Sequence, residues 1–180
     1  MSTKVVTGHT RFSYLNVFKP RSFAEGSPEQ YSVTLLIPKD DKKTVRKIKE
    51  AIATEMDEGA QTFWKGKKPA NLWNPLRDGD EEKADEHPEY RGMYFLNAKS
   101  TTKPILLDRD GEELFDQSEM YSGCWGRANI TFYAFDNKSK GIGVGLNALK
   151  KTKDDDPFGN VMTAEAAKDS FEDDEDEEDW

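Results

Sequence analysis

Six short segments rich in β-branched and aromatic residues restrict the possible folds of this chain more than any other feature. Clusters of Gly, Pro, Asp and Asn separate them, which is typical of short antiparallel strands. A parallel α/β sheet needs several helices, and this chain has one segment with convincing helical spacing. The pattern therefore predicts a mainly β Greek-key barrel with one inserted or peripheral helix and a long loop. The predicted strands are residues 5–18, 30–37, 93–99, 104–108, 125–135 and 141–149.

The helix is predicted over residues 41–57, where four apolar residues recur at helical spacing. An aspartate can cap its start, and Gly59 can end it. Its other face carries five Lys and Arg residues between 42 and 49, which form either a solvated surface or a phosphate-binding one. Residues 60–91, which follow, have the composition of a long loop, and long loops in compact domains are often functional.

Alternation along residues 125–135 assigns the two faces of that strand, because successive side chains of a strand point to opposite sides. The apolar set is expected to face the core, and the other set combines a cation, polar groups and rings. The core set is Ala128, Ile130, Phe132 and Ala134. The opposite set is Arg127, Asn129, Thr131, Tyr133 and Phe135.

Charge divides the chain into a folded part and a tail. The formal net charge is -9, but residues 1–153 hold 25 basic and 22 acidic residues. Residues 169–180 hold nine acids and no Lys or Arg. We therefore predict one mildly basic domain over residues 1–153, followed by a linker and a disordered acidic tail over residues 154–180.

No sequence motif indicates an active site or a cofactor. Two distant histidines and a single cysteine, Cys124, give no recognisable metal site or nucleophile arrangement. The glycines of 141–145 lack the lysine and helix of a phosphate loop and are better explained by a curved strand or by close approach of another backbone. The chain has no apolar run long enough to span a membrane. We predict a cytoplasmic protein without enzymatic activity, metal or cofactor.

Aromatic rings interleaved with cations are the chemistry that stands out. Single-stranded nucleic acid exposes phosphates, which bind cations, and flat bases, which stack on rings. The ring candidates are Trp64, Trp73, Tyr90, Tyr121, Trp125 and Tyr133. For Trp64 and Trp73 the alternative is that they fold back and plug the end of the barrel. The cation candidates are Lys65, Lys67, Lys68, Arg77, Arg91, Lys99 and Arg127.

The acidic tail, with a ring at its last position, offers the same two groups as single-stranded DNA. We expect it to compete with DNA for the binding groove and to bind protein partners. The alternative is an acidic segment that only improves solubility. The predicted partner-binding residues are Asp176, Glu177, Glu178, Asp179 and Trp180.

Several longer stretches carry a family resemblance, among them TRFSYLNVFKP (10–20), HPEYRGMYFLNAKS (87–100), MYSGCWGRANITFYAF (120–135) and KGIGVGLNALKKTKD (140–154). Through these stretches the chain resembles a family of bacteriophage single-stranded DNA-binding proteins, formerly a domain of unknown function. The resemblance implies an OB-fold barrel that coats single strands during phage replication and recombination in the infected bacterial host. The tail is similar to those of replicative single-stranded DNA-binding proteins, which recruit partner proteins.

The rings and cations predict a sequence-independent single-stranded DNA-binding protein, and the resemblance implies that it acts in phage replication, recombination or repair. Its predicted partners are single-stranded DNA and, through the tail, phage or host replication and recombination proteins; pairing into a homodimer stays open. The alternatives are a metal-dependent phage nuclease and an inhibitor that mimics DNA. The mimic is disfavoured because the acids are concentrated in the tail and the barrel is mildly basic.

Overall fold

The computed structural model describes residues 2–22, 25–66, 74–136, 140–158 and 168–172. Within them lie eight strands and two α-helices, with two short 3-10 turns and a helical turn at 168–172. The first elements are β1 (Ser2–Val6), β2 (Thr10–Arg21), β3 (Gln30–Pro38), α1 (Lys42–Thr62), β4 (Arg77–Asp78) and α2 (Gly79–Glu82). The remaining elements are β5 (Met93–Ser100), β6 (Ile105–Leu107), β7 (Trp125–Asp136) and β8 (Lys140–Lys153).

Five of the strands close into a barrel in the order β2, β3, β5, β8, β7, with β7 pairing back onto β2. The pair β5–β8 is parallel and meets at Lys99 and Gly145, whereas the other four pairs of the barrel are antiparallel. This is a five-stranded Greek-key barrel of the OB type. The predicted mainly β barrel with a single long helix is confirmed. Strands β1, β4 and β6 extend its sheet beside β7, β5 and β8.

The predicted strand over 5–18 was wrong in one respect, because it is two strands separated at residues 7–9. Thr7 is buried there, and its hydroxyl accepts a hydrogen bond from the Ala128 amide at 2.9 Å. The Gly8 amide donates to the hydroxyl of Thr44 at 2.9 Å. The first bond holds Thr7 on β7, and the second attaches the next residue to the start of α1.

The helix starts where predicted, with Asp41 accepting from the Thr44 amide as the N-cap. It does not stop at Gly59 but continues to Thr62, since Gly59 is needed for packing and not for helix termination. A Cβ atom on Gly59 would lie 2.7 Å from the ring of Trp64, which folds back onto it. The chain then reverses through Lys65 and Gly66, both with positive φ.

The predicted loop over 60–91 therefore holds more structure than expected. It contains the last turn of α1, then β4, which pairs with β5, and then α2. Residues 67–73 lie outside the described residues. Because β4 and α2 lie against β5, this segment covers one end of that strand.

The barrel interior is apolar, and α1 packs on it through Val45, Ile48 and Ile52. The predicted core set of β7 is confirmed, with Ala128, Ile130 and Phe132 buried and Ala134 packed against the core. The opposite set is exposed or half-buried, as alternation predicted.

Glu55 of α1 is a carboxyl group buried against the barrel, and its Oε2 atom has no hydrogen-bond partner within the described residues. Burial raises its pKa to about 7, with smaller contributions from Glu58. The folded chain therefore retains a proton that the unfolded chain loses near pH 4.5, so stability falls as pH rises through this window.

We expect Glu55→Gln to stabilise the protein at pH 8, because glutamine avoids burying a charged carboxylate. The rise in Tm should be about 3 °C or more, as roughly 1 kcal/mol gives in a domain of this size, and should vanish toward pH 4.5. Thermal unfolding at the two pH values measures it, with exposed Glu50→Gln of the same helix as control. Equal Tm shifts at both pH values would contradict the account.

Candidate nucleic-acid interface

An open groove crosses the outer face of β3 and β5. Two hollows of about 280 and 260 Å³ adjoin there and share Asn97 and Lys99, two outward residues of β5. One end of the groove approaches the β2–β3 connection at Arg21, and the other approaches the β7–β8 connection at Phe135. In OB-folds this strand face and these two loops bind the ligand.

Tyr14 is the most exposed ring at the β2 side of the groove, with 57% of the residue accessible. Its φ of 47° is unusual for a residue other than glycine, and the pairing of β2 with β3 shifts register between Ser13 and Asn16. A bulge of this kind re-aims a side chain and is frequent next to binding sites. Here the bulge turns the Tyr14 ring outward beside the groove.

Tyr133 is the exposed ring at the opposite side, with 42% of the residue accessible. It pairs with Gly143 of β8, and its ring lies directly over the glycine where a Cβ atom would otherwise stand. Gly145, the next glycine on that face, has nothing closer than 3.7 Å to such an atom. Gly143 thus leaves room for the Tyr133 side chain. The sequence had instead favoured a sharply curved strand or the close approach of another backbone segment.

The floor between the two rings is polar. Thr34 of β3 donates a hydrogen bond to the side-chain oxygen of Asn97 across the strand pair at 2.6 Å. Ser32 and Asn16 line the same hollow, and Lys99 stands at its centre. The groove therefore combines exposed rings, amide and hydroxyl groups, and positive charge.

Two of the predicted stacking rings lie in the core. Trp64 is 4% exposed and joins the main hydrophobic cluster. Tyr90 is 2% exposed, packs edge-on against Phe95 with ring centroids 5.2 Å apart, and burial raises its pKa to about 12. Neither ring presents a face to solvent, so we remove both from the predicted site.

Tyr121 and Trp125 are covered by residues 154–158, which we call the strap. The Trp125 indole N–H donates to the Asp155 carboxylate at 2.8 Å, and the Tyr121 hydroxyl donates to Asp154 at 2.8 Å. The indole bond is the main reason why the pKa of Asp155 lies below its usual value. In this conformation the two rings bind the strap, so the folded region extends beyond the predicted boundary at residue 153.

Arg11, which the sequence analysis missed, ties the strap down. Its Nη2 donates to the Asp156 carbonyl at 2.8 Å, its Nε donates to the Gly123 carbonyl at 2.9 Å, and its guanidinium stacks 4.3 Å from the Phe158 ring centroid. An ion pair with Asp155 at 3.6 Å completes the set. The strap is thus a packed part of the domain.

The remaining predicted cations are dispersed. Arg77 forms an ion pair with Glu82 and lies over the Phe95 ring. Arg127 donates a hydrogen bond to the Thr7 carbonyl, away from the groove. Lys65 and Arg91 are exposed. Of the full predicted set, Lys99 and Tyr133 line the groove together. The predicted residues Lys67, Lys68, Trp73, Asp176, Glu177, Glu178, Asp179 and Trp180 lie outside the described residues.

Within the part of the chain that the structure describes, no cluster of three His, Cys, Asp or Glu side chains could hold a metal ion. Cys124 is buried, and burial raises the pKa of its thiol. None of the described helices is long and apolar enough to cross a membrane.

The closed barrel and its open groove define an OB-fold, a class that binds oligonucleotides or oligosaccharides across this face. A family model described as the ssDNA-binding protein of Enterobacter phage Enc34 matches residues 3–180. The chain belongs to this family.

Solved structures and a curated relative are similar to this chain over most of its length. The single-stranded DNA-binding protein of bacteriophage Enc34 in complex with ssDNA is 33% identical, with a TM-score of 0.77 over 87% of this chain and 89% of that chain. Protein p50 of Acyrthosiphon pisum secondary endosymbiont phage 1 is 28% identical over 90% of this chain and 91% of its own length. The bacteriophage T7 protein gp2.5 is 14% identical with a TM-score of 0.62 over 94% of each chain, and it shares the fold.

Proposed function

We propose that this chain binds single-stranded DNA along the groove between Tyr14 and Tyr133, without sequence preference and without catalysis. The observation that carries the proposal is the pair of exposed rings flanking a polar, lysine-bearing floor on the OB-fold's binding face. The homologous Enc34 protein, which forms a complex with ssDNA, supports the same ligand.

The groove chemistry matches what a sequence-independent binder needs. Each ring can stack on a base, and this interaction tolerates every base because every base has a π-face. Lys99 and Arg21 supply positive charge for phosphates. Duplex DNA has its bases stacked inside, so the rings have nothing to bind there, and we expect strong preference for single strands.

A polarisation titration with a labelled oligothymidine and its duplex tests the proposal. We expect the protein to bind the single strand selectively, with an affinity that falls as salt is added. A plot of the logarithm of the binding constant against the logarithm of the salt concentration should have a slope of about −0.7 for each phosphate neutralised. The oligonucleotide should remain intact when Mg²⁺ is added. Equal affinity for the duplex, or cleavage of the strand, would contradict the proposal.

Substituting Gly143 should weaken DNA binding through the Tyr133 ring, which lies over it. We expect Gly143→Ala to displace the Tyr133 ring and cost about 1 kcal/mol, the lower end for one stacked base. Gly145→Ala is the matched control, because a Cβ atom fits there. In a double-mutant cycle, Gly143→Ala should add nothing to Tyr133→Ala. Full additivity of the two losses would show that the glycine does not act through the ring.

The acidic segment, residues 169–180, has a separate proposed role. Its nine acids oppose DNA binding as competing anions, and its acidic end with Trp180 recruits phage or host replication and recombination proteins. We expect Trp180→Ala to weaken capture of such partners in a pull-down from infected cells while leaving DNA affinity within twofold. Unchanged capture by the variant would exclude Trp180 as the anchor.

A further inference from the structure

A second groove lies between the outer side of α1 and the beginning of β5, away from the hollows of the DNA groove. It is a hollow of about 520 Å³, which we call the helix groove. Tyr94 forms one wall, with the ammonium groups of Lys39 and Lys49 at 5.2 and 5.4 Å from its ring centroid. The other charged residues that line it are Lys42, Arg46 and Glu50.

The helix side of this groove carries open positive charge. Residues 42–49 include five Lys and Arg residues and no acid, and within the described residues none of the five has a carboxylate partner. Lys39 differs, because Asp78 and Asp80 bind it at 2.7 and 2.8 Å. Cations in the first turns of a helix also oppose its macrodipole, which favours anions at that end. These cations at the start of α1 are electrostatically unfavourable in the folded chain, and an anion bound beside them would offset that cost.

The strap ends on the face of β5 opposite to this groove. Phe158, the last described residue of the strap, packs on the cluster of Leu36, Tyr90 and Phe95. Tyr94 precedes Phe95 in β5 and points to the opposite face of the strand. Residues 159–168 can span at most about 35 Å when fully extended.

The helix groove suits an acidic peptide better than it suits single-stranded DNA. Two ammonium groups already flank the Tyr94 ring, so the groove offers phosphates charge but offers bases no open ring. A segment attached to the same chain also reaches millimolar effective concentration when its linker can span the distance. In the DNA groove, by contrast, the cations among the described lining residues are Arg21 and Lys99.

We propose that the end of the acidic segment, residues 173–180, docks its carboxylates in the helix groove on Lys42, Arg46 and Lys49. In this position the segment leaves the hollows of the DNA groove unfilled. The docking itself does not depend on what the DNA groove binds.

Amide chemical shifts of the full chain, without DNA, test the proposal. The comparison is between the parent and a variant in which Asp173, Asp174, Glu175 and Asp176 are changed to Asn or Gln. We expect shift differences at residues 42–49 and at Tyr94, and we expect them to vanish in 0.5 M salt, which shortens the Debye length to below about 5 Å. The double variant Lys42→Gln with Lys49→Gln should abolish these shift differences. The double variant Lys4→Gln with Lys103→Gln makes the same charge change elsewhere on the surface and should leave the shift differences unchanged.

Each other outcome overturns the proposal. Differences centred on Asn97, Lys99 and Tyr133 would place the acidic segment in the DNA groove. Differences confined to the substituted residues and their sequence neighbours would mean that the segment does not dock. The experiment contains no DNA, so neither outcome bears on the DNA-binding proposal, which the oligonucleotide titration tests separately.

Discussion

The double variant Tyr14→Ala with Tyr133→Ala is expected to bind single-stranded DNA about 30-fold more weakly than the parent chain, or worse. Stacking contributes about 1–3 kcal/mol per base, and the two exposed rings lie on opposite sides of one groove. Removing both rings leaves Lys99, Arg21 and the polar floor to bind phosphate. The residual binding should therefore keep most of its salt dependence.

Phe115→Ala is the matched control for this experiment. Phe115 is 86% exposed, more than either tyrosine, but it does not line the groove. Its loss should change affinity by less than twofold, and all variants should keep the parent Tm within a few degrees. Comparable losses in the control and the double variant would mean that exposed rings act non-specifically and that the groove is misplaced.

The variant Arg11→Ala should lose about 2–4 kcal/mol of unfolding free energy. Its guanidinium makes two hydrogen bonds to backbone carbonyls and an ion pair, and hydrogen bonds to charged groups contribute roughly 1.5–3 kcal/mol each. Removing it should release the strap, which a protease would then cut between residues 154 and 158. Urea unfolding and limited proteolysis measure the two effects.

Arg109→Ala provides the comparison, because Arg109 also contacts the strap but is 65% exposed and lies 3.9 Å from Asp154. Exposed ion pairs contribute little, about 0–1 kcal/mol. If the two variants unfold at the same urea concentration, Arg11 does not hold the strap in place.

The strap should also loosen in acid. The Trp125 indole N–H holds the pKa of Asp155 below its usual value of 3.8. A carboxylate with a lowered pKa contributes stability that is present above the usual value and is lost as pH falls through the folded-state pKa.

Local periodicity was sufficient to predict much of the barrel. Alternation in 125–135 identified Ile130 and Phe132 as core residues and Tyr133 as an outward residue, because the strand period is a local property of the chain. The capped start of α1 was likewise readable from Asp41 and the spacing of its apolar residues.

The positions of individual rings were not readable in the same way. Trp64 packs in the core because Gly59, five residues earlier, leaves room for it. Tyr90 packs in the core because β5 places Phe95 beside it. Tyr14 faces outward because the pairing of β2 with β3 contains a bulge. Each outcome depends on which side chains the folded backbone brings into contact, which composition does not encode.

The strap illustrates the same difficulty with charge. Asp154, Asp155 and Asp156 have the composition of a solvated linker, yet they bind Tyr121, Trp125 and Arg11. An acidic stretch is solvated or bound depending on which donors the fold presents to it. The sequence contained both partners, but only the antiparallel pairing of β2 with β7 brings them together.

Hydrogen exchange of the full chain with and without a single-stranded oligonucleotide tests the central claim most directly. The account predicts that DNA slows exchange at residues 13–16, 31–34, 96–99 and 131–135, the segments that line or flank the groove. It predicts no slowing at residues 42–49 or 121–127. Protection of either of those segments, with the groove unchanged, would contradict the account.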